Sequence, residues 1–401
     1  MFNYDFLSVY FYSVPNLRFP YKGDWHKRKL NEICLFFKGN GLSKSDLSNE
    51  GFPCILYGEL YTTYKNEVIS DIVSKTTTTL SNPFLSKNND LIIPGSGEDP
   101  IDIAVARAIY QNDIILGGDL NVLRPKSNVS AAFLSYQLNG VRRYDIAKKA
   151  QGKSIVHLHN SDLKEVCVSI PTYDEQLHIV KLLTKIDEMI ETQSKIINDY
   201  KMLKKSIVER IISTTDISWN RYSFKDIFRE RKEFHVKDGT IIHATLSKEG
   251  IYPKTDRYDR DFLVKDEDKK YKVSYLNDIC YNPANLKFGV ITRNDYGKCI
   301  VSPIYVTYMV NPGFNPKFIE LFVTRTAFLK EIRRYEQGTV YERMAVSSDD
   351  FLTFETKLPN VEVQNDIVDN IDMLDKKITQ EQEYLELLDK QKDYLLSNMF
   401  I

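Results

Sequence analysis

The stretch that most resembles a hydrolytic site is an acidic run in the second half of the chain. It contains Asp256, Asp259, Asp261, Glu267, Asp268 and Lys269. Two carboxylates and a lysine could hold a metal ion beside a phosphodiester, as in metal-dependent nucleases. A run so rich in charge is more often a solvated loop, which is the interpretation the sequence favours. A self-sufficient nuclease using Glu267 and Lys269 remains an alternative.

Three other chemical motifs are incomplete. The segment 151–154 reads Gln-Gly-Lys-Ser, like the end of a phosphate-binding loop, but Ala147 stands where that loop needs a glycine. The segment 281–284 reads Tyr-Asn-Pro-Ala and lacks the second proline and the aromatic residue of an adenine methyltransferase loop. His157 and His159 face one side of a strand without an acidic partner at ligand spacing. We therefore predict no catalytic, metal or cofactor site in this chain.

Two long helices must position whatever the chain binds. Residues 172–212 contain neither proline nor glycine and carry apolar side chains every seven residues, at Ile179, Ile186, Tyr200 and Ile207, with Gln193 as the polar exception. Pro171 precedes the segment, and Thr172 with Glu175 forms a capping box. This spacing predicts one helix of roughly 60 Å.

The helical pattern returns at residues 360–400 with an offset of 188 positions, which places Pro359 on Pro171 and Gln364 on Gln176. Its apolar stripe is formed by Ile367, Leu374, Leu388 and Leu395, and Glu381 falls on Gln193. Each helix has an apolar face that needs a partner, and the other helix is the nearest candidate. Gln193 and Glu381 either fix the register of that seam or face solvent.

The duplication extends beyond the helices. The segment 25–33 aligns with 219–227, and Gln151-Gly152 corresponds to Gln337-Gly338. The interiors of the two halves do not align convincingly. We expect an arm at 1–20, a globular domain at 21–170, a helix at 171–215, a second globular domain at 216–358 and a helix at 359–401.

Each globular segment is predicted to be a mixed α/β domain. Strands are expected at 54–57, 90–94, 113–116 and 155–158 in the first, with a helix at 129–139, and at 261–264, 271–275, 278–281, 289–292 and 304–309 in the second, with a helix at 316–334. The predicted fold class is α/β: two mixed α/β domains separated by two long antiparallel helices, a coiled-coil spacer, in a pseudo-two-fold internal repeat.

Composition bounds the class of protein. The 401 residues carry a net charge of −1, which divides into +2 for residues 1–170, 0 for 171–215, +3 for 216–358 and −6 for 359–401. The acidic last helix is a poor candidate for lying along a phosphate backbone. Five cysteines without a close pair argue against disulfides and zinc knuckles. The sequence shows no membrane span or signal-peptide pattern, so we expect a cytoplasmic protein.

Several short motifs together resemble those of specificity subunits of Type I restriction-modification systems. They lie at 41–62, 93–98, 117–119 and 151–157, with Leu163 and the helix start at 171–176. The resemblance covers residues 15–401 and leaves the first 14 residues unmatched. It implies a non-catalytic subunit whose two target recognition domains each read one part of a split double-stranded DNA site, with the helices as spacer.

The resemblance also implies partners and their cofactors. Two modification subunits carry adenine N6-methyltransferase sites that use S-adenosylmethionine. Restriction subunits supply ATP- and Mg-dependent translocation and the nuclease. This chain itself is expected to bind no cofactor.

Within that resemblance, polar and basic residues are the candidates for DNA contact, because Lys and Arg bind phosphates while Arg, Ser and Thr also reach base edges. In the first domain we predict Ser43, Lys44, Thr77, Arg142, Arg143, Lys148, Lys149 and Lys153. In the second we predict Lys254, Lys287, Arg293, Arg333, Arg334, Thr339, Tyr341 and Arg343. A purely structural coiled-coil scaffold without a DNA role is the remaining alternative.

Overall fold

A computed structural model describes residues 14–213, 219–254, 270–337 and 345–401. The chain divides into two compact units, unit 1 with Met1–Lys195 and Glu383–Ile401, and unit 2 with Ile196–Gln382. The acidic run containing Glu267 and Lys269 and the expected strand at 261–264 lie outside the described residues. None of the helices in the described ranges has the length and hydropathy that a bilayer span requires.

Unit 1 is built around a five-stranded sheet in the order β2-β11-β7-β9-β5, with smaller sheets β10-β4-β6-β3, β12-β13-β8 and β1-β14. Its strands are β1 His26–Lys29, β2 Cys34–Lys38, β3 Leu47–Ser48, β4 Phe52–Ile55, β5 Val68–Ile69, β6 Ser74–Thr76, β7 Asp90–Pro94, β8 Ser96–Gly97, β9 Arg107–Ile109, β10 Ile115–Leu116, β11 Leu120–Pro125, β12 Gln151–Gly152, β13 Val156–His157 and β14 Cys167–Ile170. Its short helices are α1 Leu30–Ile33, α2 Glu59–Thr62, α3 Pro100–Ile103, α4 Ala131–Asn139, α5 Arg143–Ala147 and α6 Asn160–Lys164.

The first long helix is α7, Tyr173–Ser213, and it passes from unit 1 into unit 2. Unit 2 then contains β15 Asn220–Ser223, β16 Phe228–Glu230, β17 Phe234–Val236, β18 Ala244–Leu246, β19 Ile251–Pro253, β20 Lys270–Ser274, β21 Ile279–Tyr281, β22 Ile291–Arg293, β23 Cys299–Val301, β24 Val306–Val310 and β25 Glu355–Leu358. Its short helices are α8 Phe224–Ile227, α9 Pro316–Val323, α10 Thr326–Ile332 and α11 Ser348–Leu352. The second long helix is α12, Val361–Asn398.

One prediction of a helix was wrong in detail. The single helix expected at 316–334 is divided into α9 and α10 by Arg325, whose backbone is extended. The Thr324 hydroxyl donates to the Glu320 carbonyl at 2.7 Å. A side chain that hydrogen-bonds to the preceding turn competes with the helical ladder, which favours the break at this point.

The central sheets of the two units have the same order. In unit 2 the strands run β16-β24-β21-β22, which repeats β2-β11-β7-β9 of unit 1 element by element. In both units the last strand before the long helix, β14 or β25, pairs antiparallel with the first strand, β1 or β15. The outer strands differ between the units.

A turn that the sequence comparison missed is also repeated at the offset of 188. Asn89 and Asn277 both have positive φ, and the following Asp90 and Asp278 begin equivalent strand regions. Each aspartate is buried and accepts a bidentate pair of hydrogen bonds from an arginine, Asp90 from Arg124 at 2.7 and 2.8 Å and Asp278 from Arg231 at 2.7 and 3.0 Å. The interiors therefore share this turn and a bidentate arginine on its aspartate, although Arg124 lies on β11 and Arg231 follows β16.

Each long helix is attached to its domain through a glutamine amide. Gln176 donates to the carbonyl of Pro171 at 3.1 Å and accepts from the backbone N–H of Ser130, at the start of α4, at 2.9 Å. Gln364 donates to the carbonyl of Pro359 at 2.8 Å and accepts from the N–H of Asn315, at the start of α9, at 2.9 Å. Both glutamines are fully buried.

The predicted long helices are confirmed as α7 and α12, which pack together within each unit. The buried members of the predicted stripes are Ile179, Ile186, Gln193, Leu388 and Leu395, and the half-buried ones are Tyr200, Ile207, Ile367, Leu374 and Glu381. Glu381 lies 2.5 Å from the Lys377 ammonium, one turn earlier on α12.

In unit 1 the helices run antiparallel. Lys392 of α12 contacts Asp187, whereas Phe400 and Glu175 both contact Trp25. In unit 2, Lys204 of α7 contacts Asp375 of α12.

The described part of the N-terminal arm is bound to the ends of both helices in unit 1. Arg18 makes two 2.7 Å hydrogen bonds to the buried carboxylate of Glu175 on α7. The N–H of Leu17 donates to the carbonyl of Asn398 on α12 at 2.9 Å. Phe19 packs against the core of the unit.

Candidate nucleic-acid interface

The motif stretches that the sequence singled out meet at one end of the five-stranded sheet of unit 1. The N–H of Gly95 donates to Asp119 O at 2.6 Å, and the N–H of Leu158 donates to Gly95 O at 2.9 Å. The N–H of Gly117 donates to Ile55 O at 2.9 Å. Four stretches distant in sequence are therefore joined by backbone hydrogen bonds.

A buried amide holds this junction from inside. The side-chain nitrogen of Asn121 donates to Leu158 O at 2.8 Å and to Pro94 O at 3.3 Å. Close backbone approach also explains Gly39, because a Cβ there would lie 2.1 Å from Gly117 O. The junction needs these residue types for packing and not for chemistry.

A short hairpin projects from the junction. Strands β12 and β13 pair with each other, and β13 pairs with β8. Gly152 has φ +141°, and a Cβ there would lie 1.9 Å from Ile155 O, so the turn requires glycine. Lys153 and Ile155 are exposed at the tip, Ile155 with 56% of its surface accessible. The hairpin presents an ammonium and an apolar side chain together.

The two histidines beside the hairpin are stacked, with ring centroids 6.2 Å apart and planes 6° from parallel. His157 Nδ1 lies 3.2 Å from the Ser96 hydroxyl. Over the residues that the structure describes, no group of three or more His, Cys, Asp or Glu could hold a metal ion.

Ser43 contacts Asp46 directly, and Lys44 and Thr77 are neighbours in sequence of residues that do. The Ser43 hydroxyl and N–H donate to Asp46 Oδ2 at 2.7 and 2.8 Å, and the hydroxyl bond is the main reason why the pKa of Asp46 is lowered. The buried Thr76, next to Thr77, donates to Asp46 O at 2.6 Å. Lys44 and Thr77 are exposed, so both can reach a ligand.

Arg142 and Arg143 have partners inside unit 1. Arg142 Nη2 donates to the carbonyl of Ile401 at 3.0 Å, and its Nη1 lies 3.2 Å from Asp145. Arg143 Nη2 donates to the carbonyl of Ile101 at 3.1 Å. Because these half-buried guanidinium groups already hold the domain together, we leave both out of the proposed interface.

Lys148 and Lys149 lie between α5 and the hairpin. Lys148 is exposed and Lys149 is half-buried. With Lys153 they form a basic group on and beside the hairpin, which we call the hairpin lysines. A cluster of this kind suits contact with phosphates, whose charge dominates protein–DNA affinity.

In unit 2, Arg293 is also committed internally. Its Nε lies 3.1 Å from Glu320 Oε2, and its Nη1 donates to Asn277 Oδ1 at 2.9 Å. This arginine joins β22 to α9 and to the repeated Asn-Asp turn. We therefore assign Arg293 to the frame of the domain and leave it out of the interface.

Arg333 and Arg334 are exposed on a short 3₁₀ helix that leads to Gln337. Gln337 pairs antiparallel with Ala345, in the place that β12 and β13 occupy in unit 1. Thr339, Tyr341 and Arg343, which sequence reasoning predicted as contacts, lie outside the described residues. Basic residues thus precede the Gln-Gly position in both halves.

The remaining candidates in unit 2 are Lys254 and Lys287. Lys254 is half-buried, and its N–H donates to His243 O at 2.8 Å. The Lys287 ammonium lies 5.3 Å from the ring centre of the exposed Phe288. Sequence reasoning missed Ile155 and Phe288, because only the structure shows that these apolar residues are exposed beside cations.

A protein-family comparison identifies the first half. Residues 22–201 match the family model described as "Type I restriction modification DNA specificity domain". The match includes the junction, the hairpin and the first part of α7.

Solved structures match the fold of nearly the whole chain. The S subunit of a Type I restriction-modification system from M. genitalium superposes with a TM-score of 0.56 at 14% identity, covering 97% of this chain and 99% of that one. A chain from a structure of complex assembly and conformational transition of the type I R-M system gives a TM-score of 0.60 at 12% identity, covering 94% and 98%.

The family match thus falls on the same motif stretches that the hairpin and its junction bring together, and the fold matches extend over both units. Residues 22–201 therefore belong to the family described as "Type I restriction modification DNA specificity domain".

Proposed function

We propose that the chain reads a split double-stranded DNA site, one part with the domain at 21–170 and the other with the domain at 216–358. One observation carries this proposal: the same sheet order, Asn-Asp turn and glutamine attachment are built twice, while the outer strands differ. A repeated frame with different outer surfaces suits two readers of different sequences. The helical segments 171–215 and 359–401 act as the spacer, and 1–20 as an arm on the first domain.

DNA contact in the first domain is assigned to Ser43, Lys44, Thr77 and the hairpin lysines. In the second it is assigned to Lys254, Lys287, Arg333, Arg334, Thr339, Tyr341 and Arg343. The exposed Ile155 and Phe288 add apolar contacts at the same places, since apolar side chains contact thymine methyl groups or unstack base steps.

The long helices dock two modification subunits. Exposed apolar side chains support this role, Met202, Leu203 and Met373 in unit 2 and Leu387 and Tyr394 in unit 1. S-adenosylmethionine belongs to those subunits, and ATP and Mg belong to restriction subunits that complete the assembly. The acidic charge of the last helix suits a basic protein neighbour better than DNA.

The decisive experiment maps N6-methyladenine in DNA treated with the chain plus its modification subunits. The expected result is methylation of one split sequence, and no cleavage or methylation by the chain alone. Metal-dependent cleavage by the purified chain, abolished by Lys269→Ala, would instead establish the nuclease alternative. Binding that shows no preference for any split sequence would leave the scaffold alternative.

A substitution tests the hairpin. Lys153→Ala should weaken binding of the complex to its site and reduce the slope of log affinity against log salt by about 0.9, because one phosphate contact is lost. Lys27→Ala, which removes an exposed lysine on β1, is the matched control and should leave the slope unchanged. An unchanged slope for Lys153→Ala would remove the hairpin from the interface.

A further inference from the structure

A buried ion pair joins the two long helices in unit 1. The Lys392 ammonium on α12 lies 2.7 Å from Asp187 on α7, and their side chains are 17% and 5% exposed. The same ammonium lies 2.7 Å from Glu67 of the globular domain, and the Tyr136 hydroxyl donates to Asp187 at 2.6 Å. One lysine therefore connects both helices and the domain.

An ion pair also joins the two helices in unit 2. The Lys204 ammonium on α7 lies 2.5 Å from Asp375 on α12, with side chains 27% and 33% exposed. Lys317 of α9 lies 3.3 Å from Asp375 and also contacts Asp372. Here too a helix of the domain is included in the cluster.

The two pairs are related by the internal repeat. The offset of 188 positions carries Asp187 onto Asp375 and Lys204 onto Lys392. Lys204 lies 17 positions after Asp187 on α7, and Asp375 lies 17 positions before Lys392 on α12. Both pairs therefore obey one antiparallel alignment of the helices, although they lie in different units.

The apolar seam by itself does not specify this alignment. Apart from Gln193 and Glu381, its side chains are apolar and recur every seven residues, so a slip by seven would again place most apolar residues against apolar residues. The charged residues distinguish the observed register from a slipped one. A slip would separate Asp187 from Lys392 and leave a carboxylate buried without its cation. A polar group at a single seam position is a known way for coiled coils to select one register.

We infer that Asp187–Lys392 and Lys204–Asp375 select the register of α7 against α12, and thereby act as determinants of the gap between the two parts of the DNA site. The second half of this inference rests on the proposed function. A slip of seven residues moves one helix by about 10 Å along the other. That displacement corresponds to about three base pairs of duplex DNA.

The experiment uses the full chain in complex with its modification subunits. The substrates are DNA duplexes that carry the same two half-sites and differ only in the gap. Lys204→Met, Lys392→Met and the double variant remove the pairs. Lys204→Arg and Lys392→Arg keep the charge, and Lys205→Met and Lys390→Met remove exposed lysines beside each pair as matched controls.

The wild type, both Arg variants and both controls should methylate only the duplexes with one particular gap length. The double Met variant should lose about tenfold in its preference for that gap over gaps about three base pairs longer or shorter, because the coupling removed is of order 1.4 kcal/mol, which is a factor of ten. The half-sites should stay the same. An unchanged gap preference in folded Lys204→Met and double variants would overturn the inference.

A second measurement separates this inference from the proposed function. Amide hydrogen exchange in the segments 173–213 and 361–398 should accelerate in Lys204→Met and in Lys392→Met. In Lys204→Arg and Lys392→Arg it should keep the wild-type rate. If the wild type methylates no split site, the proposed function fails while the exchange data still test the register. Equal exchange in wild-type and Met variants would reject the register role.

Discussion

The same pair of helices meets two different electrostatic settings. In unit 1 the lysine of the helix pair, Lys392, lies between two buried acids, Asp187 and Glu67, whereas in unit 2 the equivalent Lys204 contacts the half-buried Asp375, which it shares with a second lysine, Lys317. A buried group depends on its partner far more than an exposed one. Units with one frame can therefore differ greatly in how much each pair contributes to stability.

The pKa shifts follow the same contrast. Burial raises the pKa of Asp187, and the neighbouring Glu67 raises it further. Burial lowers the pKa of Lys392, but Glu67 and Asp187 outweigh burial, so that the pKa lies above its ordinary value. The cluster in unit 1 therefore favours a charged lysine and resists two charged acids.

The largest expected effect distinguishes the two pairs. Lys392→Met leaves two acids without their cation and should reduce the free energy of unfolding of unit 1 by about 3–5 kcal/mol. Lys204→Met should cost about 1 kcal/mol or less in unit 2, because that pair is half-exposed. Denaturant unfolding followed by hydrogen exchange in each unit measures both. Equal losses would show that burial does not govern the difference.

The deficit of Lys392→Met should also depend on pH. When the pKa of an acid is raised in the folded state, the folded protein loses stability as the pH rises from the ordinary pKa to the raised one. Lowering the pH through that range should therefore restore part of the free energy of unfolding that Lys392→Met removes. In the wild type, the contribution of Lys392 is complete below its ordinary pKa of about 10.4 and is lost as the pH rises through the raised value. Unfolding curves measured from neutral pH down to about pH 4, the ordinary pKa of an aspartate, follow the first trend.

A smaller and equal effect is expected where the units agree. Arg124→Gln and Arg231→Gln each remove the bidentate partner of a buried aspartate, so each should destabilise its own unit by about 3 kcal/mol. The measurement is thermal unfolding of both variants beside Lys225→Gln, which changes an exposed lysine on α8. A large effect in one unit alone would mean that the repeated turn is not equivalent.

A smaller effect than at the two buried aspartates is expected at the glutamine attachments. Gln176→Met and Gln364→Met keep the side-chain volume but remove hydrogen bonds to buried backbone groups, which should cost about 1–3 kcal/mol each. Exchange of the amides in the first two turns of α7 and α12 would report the loss locally. If only the distant ends of the helices responded, the attachment would not be the cause.

The helix pair could be predicted from the sequence because its apolar spacing persists over many turns. The strand at 90–94 was also predicted with the bounds that the structure has. The central strand β11 was missed, since its sequence Leu-Asn-Val-Leu-Arg-Pro carries Asn121 and Arg124, whose polar groups are satisfied only by distant partners. Periodicity reveals long elements and not tertiary hydrogen bonds.

The repeated Asn-Asp turn was hidden for a related reason. Two identical residues in an interior that has otherwise diverged could match by chance. The φ values of 68° and 72° and the two bidentate arginines show that the turn is repeated. The predicted DNA contacts show a second limit of the sequence, because charge alone does not reveal which side chains have partners inside the protein. Arg142 and Arg293 were chosen for their charge, and only coordinates reveal that internal acceptors already occupy them.

The glutamine attachments have a consequence for how such chains can change. Both contacts quoted for Gln176 and for Gln364 are made to backbone groups. Hydrogen bonds to main-chain atoms do not depend on the identity of the side chains at those positions. A foreign domain with the same backbone at that point could therefore be joined to the helices without a change in the two glutamines.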